Sequence, residues 1–189
     1  MPSGGFVHHL LRARDWQDRP EFGELCQWWK DGGNGVCALV GIGGAGKTAI
    51  TERFLQVLPG GYPEHPKVPK NRNLAAPARL LVFSFYDAPN TDTFFTTLAA
   101  WLEGRPLDSE VGTAEGSATR PPSYYQTLDL LAGTGKCLLV LDGLEKVQDD
   151  GSRGGAFGQI LDGQLRDFRA RPICRCFSNN SPGSISGAA

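Results

Sequence analysis

The chain lacks a dominant charge, an apolar run of membrane length, a zinc-spaced cysteine set and any internal repeat. Lysine plus arginine number 19 against 20 aspartates and glutamates. That balance gives no electrostatic footprint for nucleic acid or for an anionic membrane surface. No apolar run approaches the roughly 20 residues that a helix needs to cross a bilayer. The opening residues, Met1 to His9, lack the charged-then-apolar order of a secretion signal. A cytoplasmic location is therefore expected, with neither nucleic acid nor membrane as partner. There are five cysteines: Cys26, Cys37, Cys137, Cys174 and Cys176. Cys174 and Cys176 form a C-x-C pair, but no second Cys or His cluster stands at zinc spacing. Reduced thiols are expected, with Cys37 and Cys137 acting as small hydrophobes in buried strands. His8 and His9 read as solvated residues rather than metal ligands.

What is present suits one globular domain. The chain has 189 residues, of which 40% are hydrophobic. That is long enough for a substantial core and ordinary for a soluble protein. Residues 1–19 form a lead-in, 20–177 the folded domain and 178–189 a small polar tail that should fray.

The densest signal is Gly41-Ile42-Gly43-Gly44-Ala45-Gly46-Lys47-Thr48, which fits the P-loop pattern G-x-x-x-x-G-K-[ST]. An apolar run, Val36 to Val40, precedes it and predicts a buried strand. Ala49 to Leu58 follows and predicts a helix. Strand, glycine loop and helix are the context in which this pattern binds phosphate. Triphosphate oxygens need several backbone N–H groups at close range, and side chains would block that approach. The loop opens a helix whose first N–H groups are unpaired and carry partial positive charge. Lys47 can reach the β- and γ-phosphates as a compact cation, and the Thr48 hydroxyl can bind the magnesium that rides on them. Nucleotide is the expected ligand. The alternative is a glycine-rich loop that matches by accident.

Other elements follow from periodicity. Pro20 to Lys30 predicts a helix with Phe22, Leu25, Cys26 and Trp29 on one face and Pro20 in its first turn. Residues 59–78 are proline-rich and predict a loop. Arg79 to Asp87 predicts a strand, and Asn90 to Glu103 a helix with a core face of Phe94, Phe95, Leu98, Trp101 and Leu102. Residues 104–122 read as a polar surface loop. Ser123 to Ala132 predicts a short helix, with Tyr124, Leu128 and Leu131 aligned. Ala156 to Ala170 predicts a further helix, and Ile173 to Phe177 another strand.

Cys137-Leu138-Leu139-Val140-Leu141-Asp142 is the second informative stretch. A continuous apolar run fits a strand covered on both faces. An acid at its C-terminal end stands where open α/β sheets hold ligands. With a P-loop upstream this is the Walker B position, where Asp142 serves magnesium. Glu145 offers a second carboxylate that could polarise an attacking water. The alternatives are a turn cap for Asp142 and a solvated surface acid for Glu145.

Together, the Gly41–Thr48 loop and Leu139-Val140-Leu141-Asp142-Gly143-Leu144-Glu145 resemble the STAND class of signal-transduction NTPases, which includes the NACHT and NB-ARC modules. Val82-Phe83-Ser84-Phe85-Tyr86-Asp87, followed by Thr93-Phe94-Phe95, resembles a strand and helix of bacterial members. Arg19-Pro20-Glu21-Phe22 with Leu25 resembles their lead-in. The likeness covers about residues 14–170. It implies that Lys47 contacts phosphate, that Thr48 and Asp142 serve magnesium, and that Glu145 takes the second acidic position. It also implies protein partners or downstream modules. Two departures stand out. Lys146 replaces a further acid, and Phe177-Ser178-Asn179-Asn180 has no arginine where this class carries a sensor of the γ-phosphate. The later strand and modules of the class are also missing, so the domain is expected to be incomplete at its C-terminal end.

The expected fold is α/β, a three-layer α/β/α sandwich with a mostly parallel sheet, the P-loop NTPase fold. The expected function is an ATP-binding, magnesium-dependent switch that hydrolyses weakly or not at all. One alternative is a small-molecule P-loop kinase, whose lid cations would be Arg105 and Arg120. The other is a non-catalytic remnant. A GTPase is disfavoured, since no Asn-Lys-x-Asp element for guanine is present.

Overall fold

A computed structural model describes residues 4–6, 10, 16–32, 35–62, 67–105, 124–133, 135–147 and 174–180. Strand β1 (Gly4–Phe6) is followed by helix α1 (Pro20–Lys30), strand β2 (Gly35–Val40) and helix α2 (Lys47–Val57). Strand β3 (Arg79–Ser84) leads to helices α3 (Thr91–Leu102) and α4 (Tyr124–Gly133). Strand β4 (Cys137–Asp142), a 3-10 turn (Leu144–Lys146) and strand β5 (Cys174–Asn180) complete the described elements.

The five strands form one sheet in the order β1-β3-β4-β5-β2, and every pairing is parallel. The fold is therefore α/β with a parallel sheet. Because the strands run the same way, Val40, Ser84 and Asp142 all finish at one edge of the sheet. The strand leading into the glycine loop does not pair with the strand ending in Asp142; β5 lies between them.

Alternation along β3 and β4 divides the core between the two faces of the sheet, as a period of two requires. Leu81, Phe83, Leu139 and Leu141 pack with Phe94, Leu98 and Trp101 of α3 and Leu131 of α4. Leu80, Val82, Leu138 and Val140 pack with Leu25 and Trp29 of α1 and with Ile50, Phe54 and Leu55 of α2. All six residues of β4 are buried, as expected for a strand covered on both sides.

Each helix starts for a local reason. Pro20 sits at the start of α1, where its missing N–H costs nothing. Asn90 caps α3, its side chain accepting from the backbone N–H groups of Asp92 and Thr93. The expected helix over Asn90–Glu103 thus keeps its core and loses its two end residues to the caps. Of its predicted face, Phe94, Leu98, Trp101 and Leu102 are buried and Phe95 is partly so.

Four expectations change. The Val36–Val40 strand, expected to be buried, lies at the end of the described sheet with Ala38 and Val40 exposed. β3 stops at Ser84 rather than Asp87, because Asp87 and Ala88 turn back to donate to the Ser84 carbonyl. β5 runs to Asn180 instead of stopping at Phe177, since Asn179 and Asn180 pair with Leu39 and Val40 of β2. The first three residues of the proposed polar tail therefore belong to the sheet. Gly4–Phe6, read as part of the lead-in, adds an edge strand to β3. The helix expected over 156–170 and the rest of the tail, 181–189, lie outside the described residues.

Candidate functional site

The start of α2 and Asp142 meet at the C-terminal edge of the sheet, where α/β sheets bind ligands, and Glu145 follows Asp142 on the next turn. α2 begins at Lys47 with Gly46 as its cap. Gly46 holds φ +81, a left-handed conformation that most side chains avoid. It brings no side-chain acceptor, and the first turn of α2 carries no acid. By contrast α3 opens with Asn90 in the cap and Asp92 in its first turn. The start of α2 thus has the character of an anion site: N–H groups without a capping side chain, and no nearby negative charge within the helix.

The Lys47 side chain folds back over the loop. Its Nζ donates to the carbonyls of Gly41 at 2.8 Å and Ile42 at 3.1 Å. These are weakly screened partners that phosphate oxygens, being charged, would outcompete. Arg19, from just before α1, also reaches the loop. Its Nη1 donates to the Ala45 carbonyl at 2.5 Å, and its guanidinium lies 3.5 Å from where a Cβ on Gly46 would stand. Sequence reading placed Arg19 only in the lead-in; nothing in local spacing linked it to a loop 26 residues away.

Thr48 follows Lys47 on α2, and its Oγ1 lies 3.3 Å from each carboxylate oxygen of Asp142. The two residues are 94 apart in sequence. Asp142 is buried, 4% exposed, so it does not behave as a solvated acid. It does not cap the following 3-10 turn either; Gly143 occupies that position. One hydroxyl and one carboxylate suit a hard cation that keeps most of its waters and is shared with phosphate, as magnesium is. Among the described residues no group of three or more His, Cys, Asp or Glu gathers to hold a metal unaided.

Glu145 lies on the 3-10 turn, and Tyr86, from the turn after β3, donates its hydroxyl to Glu145 Oε1. That hydrogen bond, assisted by burial and by the charges of Glu145 and Asp142, pushes the Tyr86 phenol up to about 12 from its usual 10. The sign is fixed by the protonated phenol being the donor. The bond therefore survives as pH rises past the phenol's usual 10 and is lost as pH rises through about 12. Glu145 is therefore no freely solvated acid. Tyr86 entered the sequence reading only as part of a strand, and its link to Glu145 is 59 residues long.

Arg105, a suggested lid cation, is placed elsewhere. It pairs with Glu103 at 2.6 Å, just past the end of α3. The α3 C-terminus is held by Arg79, the first residue of β3, through the Leu102 and Trp101 carbonyls. Arg105 thus sits at the opposite edge of the sheet from the glycine loop. Arg120 lies outside the described residues. Cys37 is half-buried, and burial with the nearby Glu24 charge pushes its thiol up to about 11. It is an unreactive thiol at neutral pH.

No model of a known protein family matches the chain, and no curated protein matches it.

Proposed function

We propose that this chain is the ATP-binding module of a signal-transduction NTPase of the STAND class, a magnesium-dependent nucleotide switch. On this reading the parallel sheet is the centre of a three-layer α/β/α sandwich of the P-loop NTPase type. One observation carries the reading. The Thr48 hydroxyl and both Asp142 oxygens meet at 3.3 Å, at the mouth of a loop that matches the P-loop pattern. The uncapped start of α2 and the two cations on the loop, Lys47 and Arg19, support it further.

Nucleotide phosphates would rest on the N–H groups from Gly43 to Thr48, with Lys47 turning from the loop carbonyls to the β- and γ-oxygens. Magnesium, held by Thr48 and Asp142, would supply charge neutralisation on those oxygens. Hydrolysis proceeds by attack of water on the γ-phosphorus, in line with the leaving ADP. The new P–O bond forms as the bond to the bridging oxygen breaks and its electron pair leaves with ADP. Glu145 accepts the water proton. Phe177-Ser178-Asn179-Asn180 holds no arginine where this class carries its γ-phosphate sensor, and an arginine in that role contributes about 10³–10⁵ in rate. Turnover by this chain alone is accordingly expected to be slow, well under one per minute, while binding survives. Phosphate release measured at saturating ATP checks this; several turnovers per minute, abolished by Lys47→Ala, would count against it.

The reading itself is tested by titrating the protein with ATP, ADP and GTP, each with and without magnesium. Thermal melts that superimpose in all conditions overturn it. Asp142→Asn separates the metal role from a structural one. The expected outcome is weaker binding of magnesium nucleotide with metal-free ADP binding nearly intact. An equal loss in both conditions would make Asp142 structural.

A further inference from the structure

Tyr86 is an exposed aromatic residue in a fixed place. It is 53% exposed, yet four contacts hold it. Its hydroxyl donates to Glu145 Oε1. Its ring lies on Gly143 so closely that a Cβ there would stand 2.6 Å from a ring carbon. Lys146 Nζ sits 5.1 Å from the ring centroid, and the Tyr86 backbone N–H donates to Ser84 Oγ at 3.2 Å. Gly143 has φ +75. A side chain there would both strain the backbone and push the ring away. The turn after β3 is thus clamped to the turn after β4 by one tyrosine, and the clamp ends on Glu145.

The other carboxylate oxygen, Glu145 Oε2, is buried and has no hydrogen-bond partner among the described residues. A buried carboxylate oxygen left without a donor is costly, so such an atom is usually reserved for one. Glu145 therefore has one oxygen tied down and one still without a donor.

We propose that Tyr86 is a positioning residue for Glu145: by holding Oε1 it fixes the carboxylate so that Oε2 is the acceptor for the water that attacks the γ-phosphate. The proposal rests on the nucleotide-switch reading above. In this role Tyr86 acts through Glu145 and not on the nucleotide or the water itself. In the step itself the water oxygen bonds to phosphorus, the bond to the bridging oxygen breaks, the electron pair leaves with ADP, and the water proton passes to Oε2 and then to solvent.

The test uses Tyr86→Phe, which keeps the ring on Gly143 and under Lys146 and removes only the donor. The first readout needs no nucleotide. In protein labelled at the tyrosine Cζ, the Tyr86 resonance is identified by its loss in Tyr86→Phe, and it should shift at neutral pH in Glu145→Gln. An unmoved resonance overturns the proposal, whatever the nucleotide results. The second readout is single-turnover phosphate release with protein in excess over magnesium ATP, alongside magnesium ADP affinity. A general base contributes about 10²–10⁴ in rate, and a misplaced one loses part of it, so Tyr86→Phe should slow release about tenfold with affinity unchanged. In the Glu145→Gln background the same substitution should have no further effect. An undiminished rate in Tyr86→Phe, a tenfold loss that persists in Glu145→Gln, or intact binding with no single turnover in the wild type overturns the proposal and leaves nucleotide binding standing. Loss of binding in the wild type removes the nucleotide-switch reading itself, with this step.

Discussion

Lys47→Ala is expected to erase the rise in melting temperature that magnesium ATP gives the wild type. A ligand present at 100 times its dissociation constant stabilises the folded state by about 2.7 kcal/mol. Hydrogen bonds to charged groups contribute about 1.5–3 kcal/mol each, and Lys47 is the cation best placed to make them. Losing one or two weakens binding roughly a hundredfold. The same ATP concentration then equals the dissociation constant, and the stabilisation falls to about 0.4 kcal/mol. Without nucleotide the variant should melt close to the wild type, since among the described residues Lys47 binds the carbonyls of Gly41 and Ile42, at a partly exposed position. The measurement is a pair of melts for each protein, with and without saturating magnesium ATP. A variant that keeps the full ligand shift would show that the loop does not act through its lysine.

Phe83→Ala is expected to cause the largest loss of stability, about 3–5 kcal/mol. Phe83 is fully buried in the middle of β3. Its ring meets Phe85 at 5.0 Å and Phe94 at 5.2 Å, both edge to face. Removing it takes away contacts between the sheet and α3, and the flanking strands hold the backbone where it is, so the space cannot close. In a domain of this size each kcal/mol moves the melting temperature by about 2–4 °C, which makes the expected drop roughly 6–20 °C. Phe95→Ala, at a partly buried position on the same helix face, should cost clearly less. Equal losses at Phe83 and Phe95 would mean that α3 packs differently from the arrangement described. The functional consequence is direct, because β3 carries Tyr86 to the site.

Local physics made much of the chain legible before folding. The strand Cys137–Asp142 and the helix Pro20–Lys30 were found with their observed limits. A fully apolar run and a proline-led amphipathic stretch are signals that tertiary context has little reason to override. The loop Gly41–Thr48 was legible as the break between a strand and a helix, because its glycines end the apolar run that precedes it. Asp142 was legible because an acid closing an apolar strand stands at the ligand edge. Edges were less legible. Nothing in Gly4–Phe6 signals a strand; three small or single apolar residues have no periodicity, and only the open edge of β3 gives them a partner. Likewise Asn179 and Asn180 lie in a strand because β2 pairs with them, against their own weak strand propensity.

The sequence by itself determined the types of the main elements, the two-faced core of the central strands, and the place of the glycine loop and of Asp142 at the ends of their strands. Those follow from short-range spacing and from which side chains water excludes. The tertiary structure alone decided the strand order, with β5 between β2 and β4. It alone brought Thr48 to Asp142, Arg19 to Ala45 and Tyr86 to Glu145. Each of these contacts joins residues far apart in the chain, and no local pattern encodes a distance between two elements. They exist because parallel strands must all end at one edge of the sheet, which gathers the loops that follow them into one place.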